Sequence, residues 1–146
     1  MKLEDEIKQQ AFVNAQQKAA MNAIFTGNWL TNQYAAALKA LDLSLQQLNV
    51  LTILKGQKDY VGSVNLIKDR LIDRMPNVSR LLNKLMEKGL IVKDRSTSDQ
   101  RVVYIRLTQK GLEYAGQGRK LFQSVSFNIS DEKSALLNDL LNEMRT

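Results

Sequence analysis

The sequence predicts one domain that is mainly α with a small β-hairpin wing. Apolar residues recur at three- and four-residue steps over most of the 146 residues, which is the period of an amphipathic helix. Two short runs of strand composition stand out, at residues 90–95 and 102–107. The apolar content of 44% and the charged content of 25% are ordinary for a globular chain, so a buried core is expected.

Residues 76–89 predict a helix with one apolar and one polar face. Pro76 suits the first helical position, where its missing N–H costs nothing, and Gly89 suits the left-handed residue that ends a helix. An α-helix fits the major groove of DNA, where Arg, Asn and Ser side chains reach bases and phosphates. The candidate DNA-binding residues on this helix are Pro76, Asn77, Ser79, Arg80, Asn83 and Lys84.

The next segment predicts a hairpin with a charged tip. Strands over Leu90–Arg95 and Val102–Leu107 are joined by the polar residues 96–101. Arg95 and Arg101 flank the tip, and our hypothesis is that Asp99 pairs with one arginine while the other reaches phosphate or a narrow minor groove. The alternative is an ordinary solvated hairpin with a surface ion pair, which contributes about 0–1 kcal/mol.

Helix-start signals precede this unit. Ser44 and Gln47 form a capping box for a helix that runs to about Leu54, and Ser63 can cap a helix over residues 64–72 with Ile72 facing inward. Residues 60–61 are expected to add a short strand beside the hairpin. Two short helices about three residues apart are typical of a helix-turn-helix, so residues 44–110 predict a winged helix-turn-helix core.

The flanking segments 1–40 and 111–146 predict N- and C-terminal dimerisation helices. The first contains a weak point or bend at Gly27. Thr108 can cap a helix after the wing, and the last helix, capped by Ser130, carries an apolar stripe. The stripe consists of Leu136, Leu137, Leu140, Leu141 and Met144. A helix with such a stripe must bury it, either in the core of its own chain or, as we favour, in a two-fold interface with a second copy.

Four runs of residues resemble the MarR family of winged helix-turn-helix transcription regulators. They are Asp99-x-Arg101, Leu107-Thr108-x-x-Gly111, the run 85–92 and the run 45–51. The resemblance implies a dimeric, mainly α fold, DNA binding through the helix and the wing, and frequent control by a small ligand. Gln100 stands where many members carry another basic residue.

The charge distribution favours a polyanionic partner. The net charge is +6, and residues 55–110 hold 13 basic and 6 acidic side chains, whereas the remaining residues hold 8 and 9. The entire positive excess therefore falls in the segment that we expect to touch DNA. A solvated basic face that binds nothing is the alternative.

The chain lacks cysteine and histidine, which excludes several classes of function. Cys/His zinc sites, thiol redox sensing and Ser-His-Asp catalysis all need residues that are missing. No GxxxxGK or GxGxxG loop indicates a nucleotide. We therefore predict no enzyme, no metal site and no cofactor. The N-terminus has no signal-peptide pattern and no long apolar run occurs, so we expect a cytoplasmic protein without membrane contact.

These patterns together predict a transcriptional regulator that binds double-stranded DNA as a homodimer on a pseudo-palindromic operator. We call the helix over residues 76–89 the recognition helix. A small-molecule effector could change the separation of the two recognition helices of the dimer, with Phe25, Trp29 and Tyr34 as candidate lining residues. The same aromatic residues are also typical of an ordinary core. The alternative function is a winged-helix module that binds proteins without specific DNA binding.

Overall fold

The computed structural model describes residues 1–74, 76–95 and 101–146 and confirms a mainly α fold with one small antiparallel sheet. Short 3-10 turns occur at Lys39–Leu41 and Lys58–Tyr60. In the described part of the chain the elements are, in order, α1 (Leu3–Glu6), α2 (Ala15–Leu38), α3 (Leu45–Lys55), β1 (Val61–Ser63), α4 (Val64–Arg70), α5 (Val78–Glu87), β2 (Ile91–Asp94), β3 (Tyr104–Leu107), α6 (Gln109–Ser124) and α7 (Asp131–Met144).

The sheet has the order β1-β3-β2, and both pairings are antiparallel. Val61 pairs with Arg106 on one side of β3, and Ile91 pairs with Leu107 on the other. The short strand expected near residues 60–61 is therefore confirmed as β1. Both hairpin strands are shorter than the sequence predicts, since β2 ends at Asp94 and β3 begins at Tyr104.

The predicted helix caps are present. The Oγ of Ser44 accepts the backbone N–H of Gln47 at 3.1 Å, and the Gln47 side chain accepts the backbone N–H of Ser44 in return. Ser63 caps α4 and Thr108 caps α6, and Ser130 caps α7 in the same way. Each cap pairs a backbone N–H group that a helix N-terminus otherwise leaves without a partner. Because the capping residue and that N–H are only three residues apart, the adjacent sequence is enough to predict the cap.

The predicted start of the recognition helix is wrong by two residues. Asn77 is the N-cap of α5, with φ −69° and ψ 104°, and its side chain accepts the backbone N–H of Arg80 at 3.1 Å. Because a capping residue keeps an extended backbone, the helix begins only at Val78 and Pro76 lies outside it. Gly89 has a φ of +72°, as expected for the residue that terminates this helix.

Two further expectations are corrected. The helix over 64–72 ends at Arg70, and Ile72 is 82% exposed instead of facing inward. Its backbone N–H is bonded to the side-chain oxygen of Asn49, so the chain leaves the helix direction before Ile72. The expected bend at Gly27 is also absent, because α2 runs through this residue without interruption.

The core lies between α3, α5, the sheet and α6. Leu51, Leu54, Leu85 and Ile105 are fully buried, and Leu38 at the end of α2 joins the same cluster. This core fixes α5 on its apolar side. The described helices include none with the length and apolar character needed to cross a membrane.

The long helix α2 packs on α6. The ring of Tyr34 stacks on Phe122 with centroids 4.0 Å apart and an interplanar angle of 7°. In contrast, the apolar stripe of α7 remains largely uncovered. Leu136, Leu137, Leu140 and Met144 are 59%, 47%, 53% and 51% exposed.

The start of α6 approaches the chain after α5 very closely. A Cβ atom built on Gly111 would lie 1.9 Å from the carbonyl oxygen of Leu90. That oxygen also accepts the backbone N–H of Thr108 at 3.1 Å. Only glycine leaves room for this contact.

Replacing Gly111 by alanine should therefore lower the free energy of unfolding by roughly 3 kcal/mol, because backbone atoms must move to admit the methyl group. Gly116→Ala is the matched control on the same helix, since a Cβ there meets no described atom within 4 Å. The control should raise the free energy of unfolding by about 0.5–1 kcal/mol, because alanine is the better helix former. Urea unfolding of both variants measures the difference, and equal stability of the two would contradict the close approach.

Candidate nucleic-acid interface

Helix α5 presents a continuous polar face to solvent. Leu81, Leu82 and Leu85 are buried, whereas the polar side chains at positions 79, 80, 83, 84 and 87 are exposed. On a helix with 3.6 residues per turn these exposed positions span an arc of about 140°. An arc of this width allows several side chains of one helix to reach both the base edges and the backbones that border a DNA groove.

The side of this arc toward the hairpin borders a groove of about 410 Å³. Ser79 and Asn83 contribute from α5, Lys93 from β2, and Arg101 from the residues that precede β3. Apolar side chains such as Met86 form part of the remaining lining. The structure thus places three of the predicted DNA-binding residues, from two separate elements, around one groove.

The other predicted residues that the structure describes do not line this groove. Arg80 is exposed on the polar face of α5, and Arg95 is exposed at the end of β2. Lys84 lines a second cavity, of about 560 Å³, on the opposite edge of α5. Pro76 precedes the helix cap. Asp99 lies within residues 96–100, outside the described part of the chain, so its predicted pairing stays a prediction.

Asn77 has a structural duty in addition to its predicted one. Its side-chain oxygen accepts the Arg80 N–H as the helix cap, which leaves the amide NH₂ as its donor group. The cap positions the first turn of α5 and thereby the backbone that carries Ser79 and Arg80. From the sequence, Asn77 is assigned to DNA binding alone, because Pro76 is expected to begin the helix.

Sequence reasoning missed two residues of this region. Lys93 lines the groove, and it is exposed while its neighbour Asp94 is buried. The Asp94 side chain is only 4% exposed, and its Oδ1 lies 3.8 Å from a guanidinium nitrogen of Arg106. This pair links the two hairpin strands diagonally and partly balances a buried acid. Both residues sit in the short strand β2, whose alternation is too brief to assign faces from sequence alone.

The aromatic candidates for an effector site divide into two groups. Phe25 and Trp29 line a small cavity of about 240 Å³ where α1 packs on α2. Lys18 donates a hydrogen bond of 2.7 Å to Glu4, which ties α1 to α2 and lowers the pKa of the Glu4 carboxyl below its ordinary value. Tyr34 instead belongs to the stack on α6.

That stack borders a larger, mostly apolar groove between α3 and α6. Phe122, the stacking partner of Tyr34, lines this groove of about 510 Å³ together with Leu45 and Leu48. Phe127 connects the two aromatic groups, because its ring centroid lies 5.9 Å from that of Trp29 and 6.0 Å from that of Tyr34. Trp29 and Tyr34 are therefore connected through Phe127, whereas Phe25 shares with Trp29 only the lining of the small cavity.

Helices α3, α4 and α5 followed by the antiparallel β2–β3 hairpin define a winged helix-turn-helix protein. In helix-turn-helix proteins the second helix of the motif lies in the major groove of DNA, and α5 occupies that position here. The sequence profile described as transcriptional regulator SarA/Rot matches residues 32–116. The chain belongs to this family of transcriptional regulators.

Relatives with similar sequences are also regulators of the helix-turn-helix type. The chain is 32% identical over 107 residues to the uncharacterized regulator YdgJ of Bacillus subtilis, covering 70% of this chain and 64% of YdgJ. It is 29% identical over 119 residues to FarR of Neisseria gonorrhoeae, covering 79% and 80%. The match to SarU of Staphylococcus aureus is 27% identical over 89 residues and spans 61% of this chain but only 33% of SarU.

Solved structures of MarR regulators have the same fold. A cysteine-to-serine variant of E. coli MarR in complex with operator DNA matches with a TM-score of 0.75 and 20% identity, covering 98% of both chains. The organohalide-sensing regulator RdhR in its 2,4-dichlorophenol-bound form matches with a TM-score of 0.78 and 18% identity, covering 91% of this chain and 80% of RdhR. The resemblance to the MarR family predicted from the sequence is confirmed.

Proposed function

We propose that this chain is a transcriptional regulator that binds double-stranded DNA as a homodimer on a pseudo-palindromic operator. The observation that carries the proposal is the exposed polar face of α5, which continues into the groove bordered by Lys93 and Arg101. The positive excess of residues 55–110 coincides with this surface. Membership of the SarA/Rot regulators and the common fold with an operator-bound MarR support the same function.

In the proposed complex α5 enters the major groove. Arg80 and Asn77 are assigned to base edges, where an arginine can donate two hydrogen bonds to guanine and an asparagine amide can donate to an acceptor. Ser79, Asn83 and Lys84 are assigned to phosphates or to water-bridged contacts. Arg101 and Arg95 are assigned to the backbone or the minor groove beside the hairpin, and Lys93 extends this set because it faces the same groove.

The stripe on α7 supports the dimer. Its leucines are about half exposed in the single chain, so packing within the monomer leaves them uncovered. Burying them against a second copy removes apolar surface from water. Two recognition helices related by a two-fold axis, about 34–36 Å apart, would then read successive major grooves on one face of the duplex.

An effector that binds in the aromatic region could release the regulator from DNA. Phe25 and Trp29 line a cavity beside α1, and Tyr34 backs the α3–α6 groove through Phe122. The α3–α6 groove lies between the DNA-binding core and a proposed dimer helix, whereas the cavity beside α1 is formed by the N-terminal segment alone. Only one separation of the two recognition helices matches the distance between successive major grooves. A ligand that shifts α2 relative to α3 would therefore change DNA affinity.

Replacing Arg80 by alanine should weaken binding to an operator selected from random duplexes by about 1–3 kcal/mol and relax specificity at the contacted position. Lys120→Ala on α6 removes one charge from an exposed site outside the proposed interface and should change affinity little. Electrophoretic mobility shift at fixed salt measures both variants.

The DNA affinity of the wild-type protein should also fall as the salt concentration rises. If each protomer neutralises about 3–5 phosphates, a plot of log K against log salt should have a slope of about −5 to −9. A slope near zero, or no shift of bulk duplex DNA, would reject DNA binding and favour a winged-helix module for protein partners.

Leu140→Lys should yield a monomer and weaken operator binding by at least about a hundredfold, because the two half-sites would no longer be engaged together. Ala135→Lys places the same charge on the opposite face of α7 and should leave the dimer intact. Sedimentation velocity gives the oligomeric state of each variant, and a monomeric wild type would overturn the proposed dimer.

A screen of aromatic acids and other small amphiphiles should find compounds that raise the melting temperature and change the emission of Trp29, the only tryptophan. A compound at 100 times its Kd stabilises the folded state by about 2.7 kcal/mol. Phe25→Ala should weaken a compound bound beside α1, whereas Ile24→Ala, at an exposed neighbouring position, should not. Failure of every compound to shift the melting temperature would contradict ligand control.

A further inference from the structure

The C-terminal end of α5 is held by a lysine that none of the assignments above uses. Lys88 is the C-cap of α5, and its Nζ donates hydrogen bonds to the backbone carbonyl of Asp42 and to the Oε1 of Gln47, the latter at 3.0 Å. The same Nζ lies 3.7 Å from the Oδ2 of Asp42. The Lys88 side chain is 29% exposed, so it is partly shielded from water.

The hydrogen-bond acceptors of Lys88 are a backbone carbonyl, that of Asp42, and a side chain that is itself held by other bonds, that of Gln47. The Gln47 side chain is fixed by the capping box of α3, since its Oε1 also accepts the Ser44 N–H at 3.1 Å, and the residue is only 6% exposed. Asp42 directly follows the 3-10 turn that continues α2, and it has a left-handed backbone with φ 51°. A charge-assisted hydrogen bond to a fixed acceptor is stronger than a neutral one and restricts geometry.

The same end of α5 is also bonded to α6. The carbonyl of Lys88 accepts a hydrogen bond from the Lys110 Nζ at 3.0 Å, and the carbonyl of Gly89 accepts one from the Thr108 Oγ1 at 2.7 Å. Helix α5 therefore has an anchored C-terminal end, where α2, α3 and α6 converge on it. Its N-terminal end, at Asn77, carries the residues assigned to DNA.

Such an arrangement amplifies small rotations. Ten residues of α-helix are about 15 Å long, so a tilt of about 10° at the anchored end displaces the N-terminus by roughly 2–3 Å. A displacement of this size breaks hydrogen bonds to base edges, whose donor–acceptor distances fall within about 0.5 Å of one another. The direction of α5 is thus as important for specific recognition as the side chains it carries.

We propose that Lys88 is a positioning residue that sets the direction of α5 relative to α2 and α3 and transmits the position of α2 to the DNA-binding face. It acts through Asp42 and Gln47 and does not touch DNA. The inference rests on the proposed DNA-binding function, but its structural part is independent of DNA. Loss of the Lys88 bonds should leave α5 folded but variably oriented.

The test compares Lys88→Met, which keeps the aliphatic stem, with Lys39→Met, which removes the same charge from an exposed lysine lining the same cavity. We expect Lys88→Met to lose about tenfold in operator affinity, equivalent to ~1.4 kcal/mol, with bulk-duplex affinity within about twofold of wild type. Lys88→Arg should recover operator affinity to within about threefold, because its guanidinium can donate to both acceptors. Lys39→Met should resemble wild type in the ratio of the two affinities.

Three results would overturn the proposal. Equal losses for operator and bulk duplex would identify Lys88 as a phosphate contact. Unchanged operator and bulk-duplex affinities in Lys88→Met would remove any positioning role, and a loss matched by Lys39→Met would attribute the effect to charge alone. All affinities are measured well below the melting temperature of each variant, so a merely less stable protein does not imitate the expected result.

A distance measurement separates this inference from the DNA-binding proposal. The chain has no cysteine, so Gln33→Cys on α2 and Ser79→Cys on α5 accept spin labels without background. In protein diluted with unlabelled chain, the distance distribution within one protomer should be narrow for the parent and for Lys39→Met, but broadened or shifted by Lys88→Met. If the unlabelled wild-type protein binds no DNA, the proposed function fails and this distance still decides whether Lys88 orients α5; an unchanged distance overturns the inference.

Discussion

The backbone contact between Gly111 and Leu90 is the constraint on which the arrangement of the DNA-binding unit depends. It allows the first turn of α6 to lie against the residue that connects α5 to β2. The Leu90 carbonyl accepts a hydrogen bond from the backbone N–H of Thr108, and the Gly89 carbonyl accepts one from the Thr108 hydroxyl. Three elements are thereby joined within a few residues: the end of the recognition helix, the hairpin and the helix on which α2 packs. A side chain at position 111 would force all three apart.

The polar face of α5 can be large because the leucines of the opposite face supply the buried contacts of the helix. Leu81, Leu82 and Leu85 fix the rotation of the helix about its own axis, and the Asn77 cap fixes where its first turn begins. What remains free to vary is the direction of the axis. In our proposal that direction is set at the C-terminal end, where hydrogen bonds connect α5 to the end of α2, to α3 and to α6.

Much of this fold could be predicted from the sequence, since the informative signals were local. The capping box at Ser44 and Gln47, the Thr108 cap and the left-handed Gly89 each depend on a few adjacent residues. The errors occur where neighbouring signals compete. Asn77 directly follows Pro76, and its side-chain hydrogen bond determines the helix start more strongly than the proline ring does.

The missed features depend on tertiary contacts. Lys93 and Asp94 take opposite environments in a four-residue strand, and nothing in that short run distinguishes the groove side from the buried side. The bonds of Lys88 join residues more than forty positions apart in sequence, so no periodicity reveals them. The leucine stripe of α7, in contrast, was evident from its spacing alone, and the structure adds that its own chain leaves it uncovered.

Gly27 gives α2 a mechanical property that its regular shape conceals. It lies in the middle of a 24-residue helix, has no described neighbour crowding its missing side chain, and its carbonyl accepts a hydrogen bond from the Thr31 hydroxyl at 2.9 Å. Glycine and a threonine bonded back to the preceding turn both reduce the stiffness of a helix. Curvature of α2 therefore costs least at this turn. We therefore expect the N-terminal half of α2, which carries Phe25, to bend relative to the C-terminal half, which Tyr34 holds against α6.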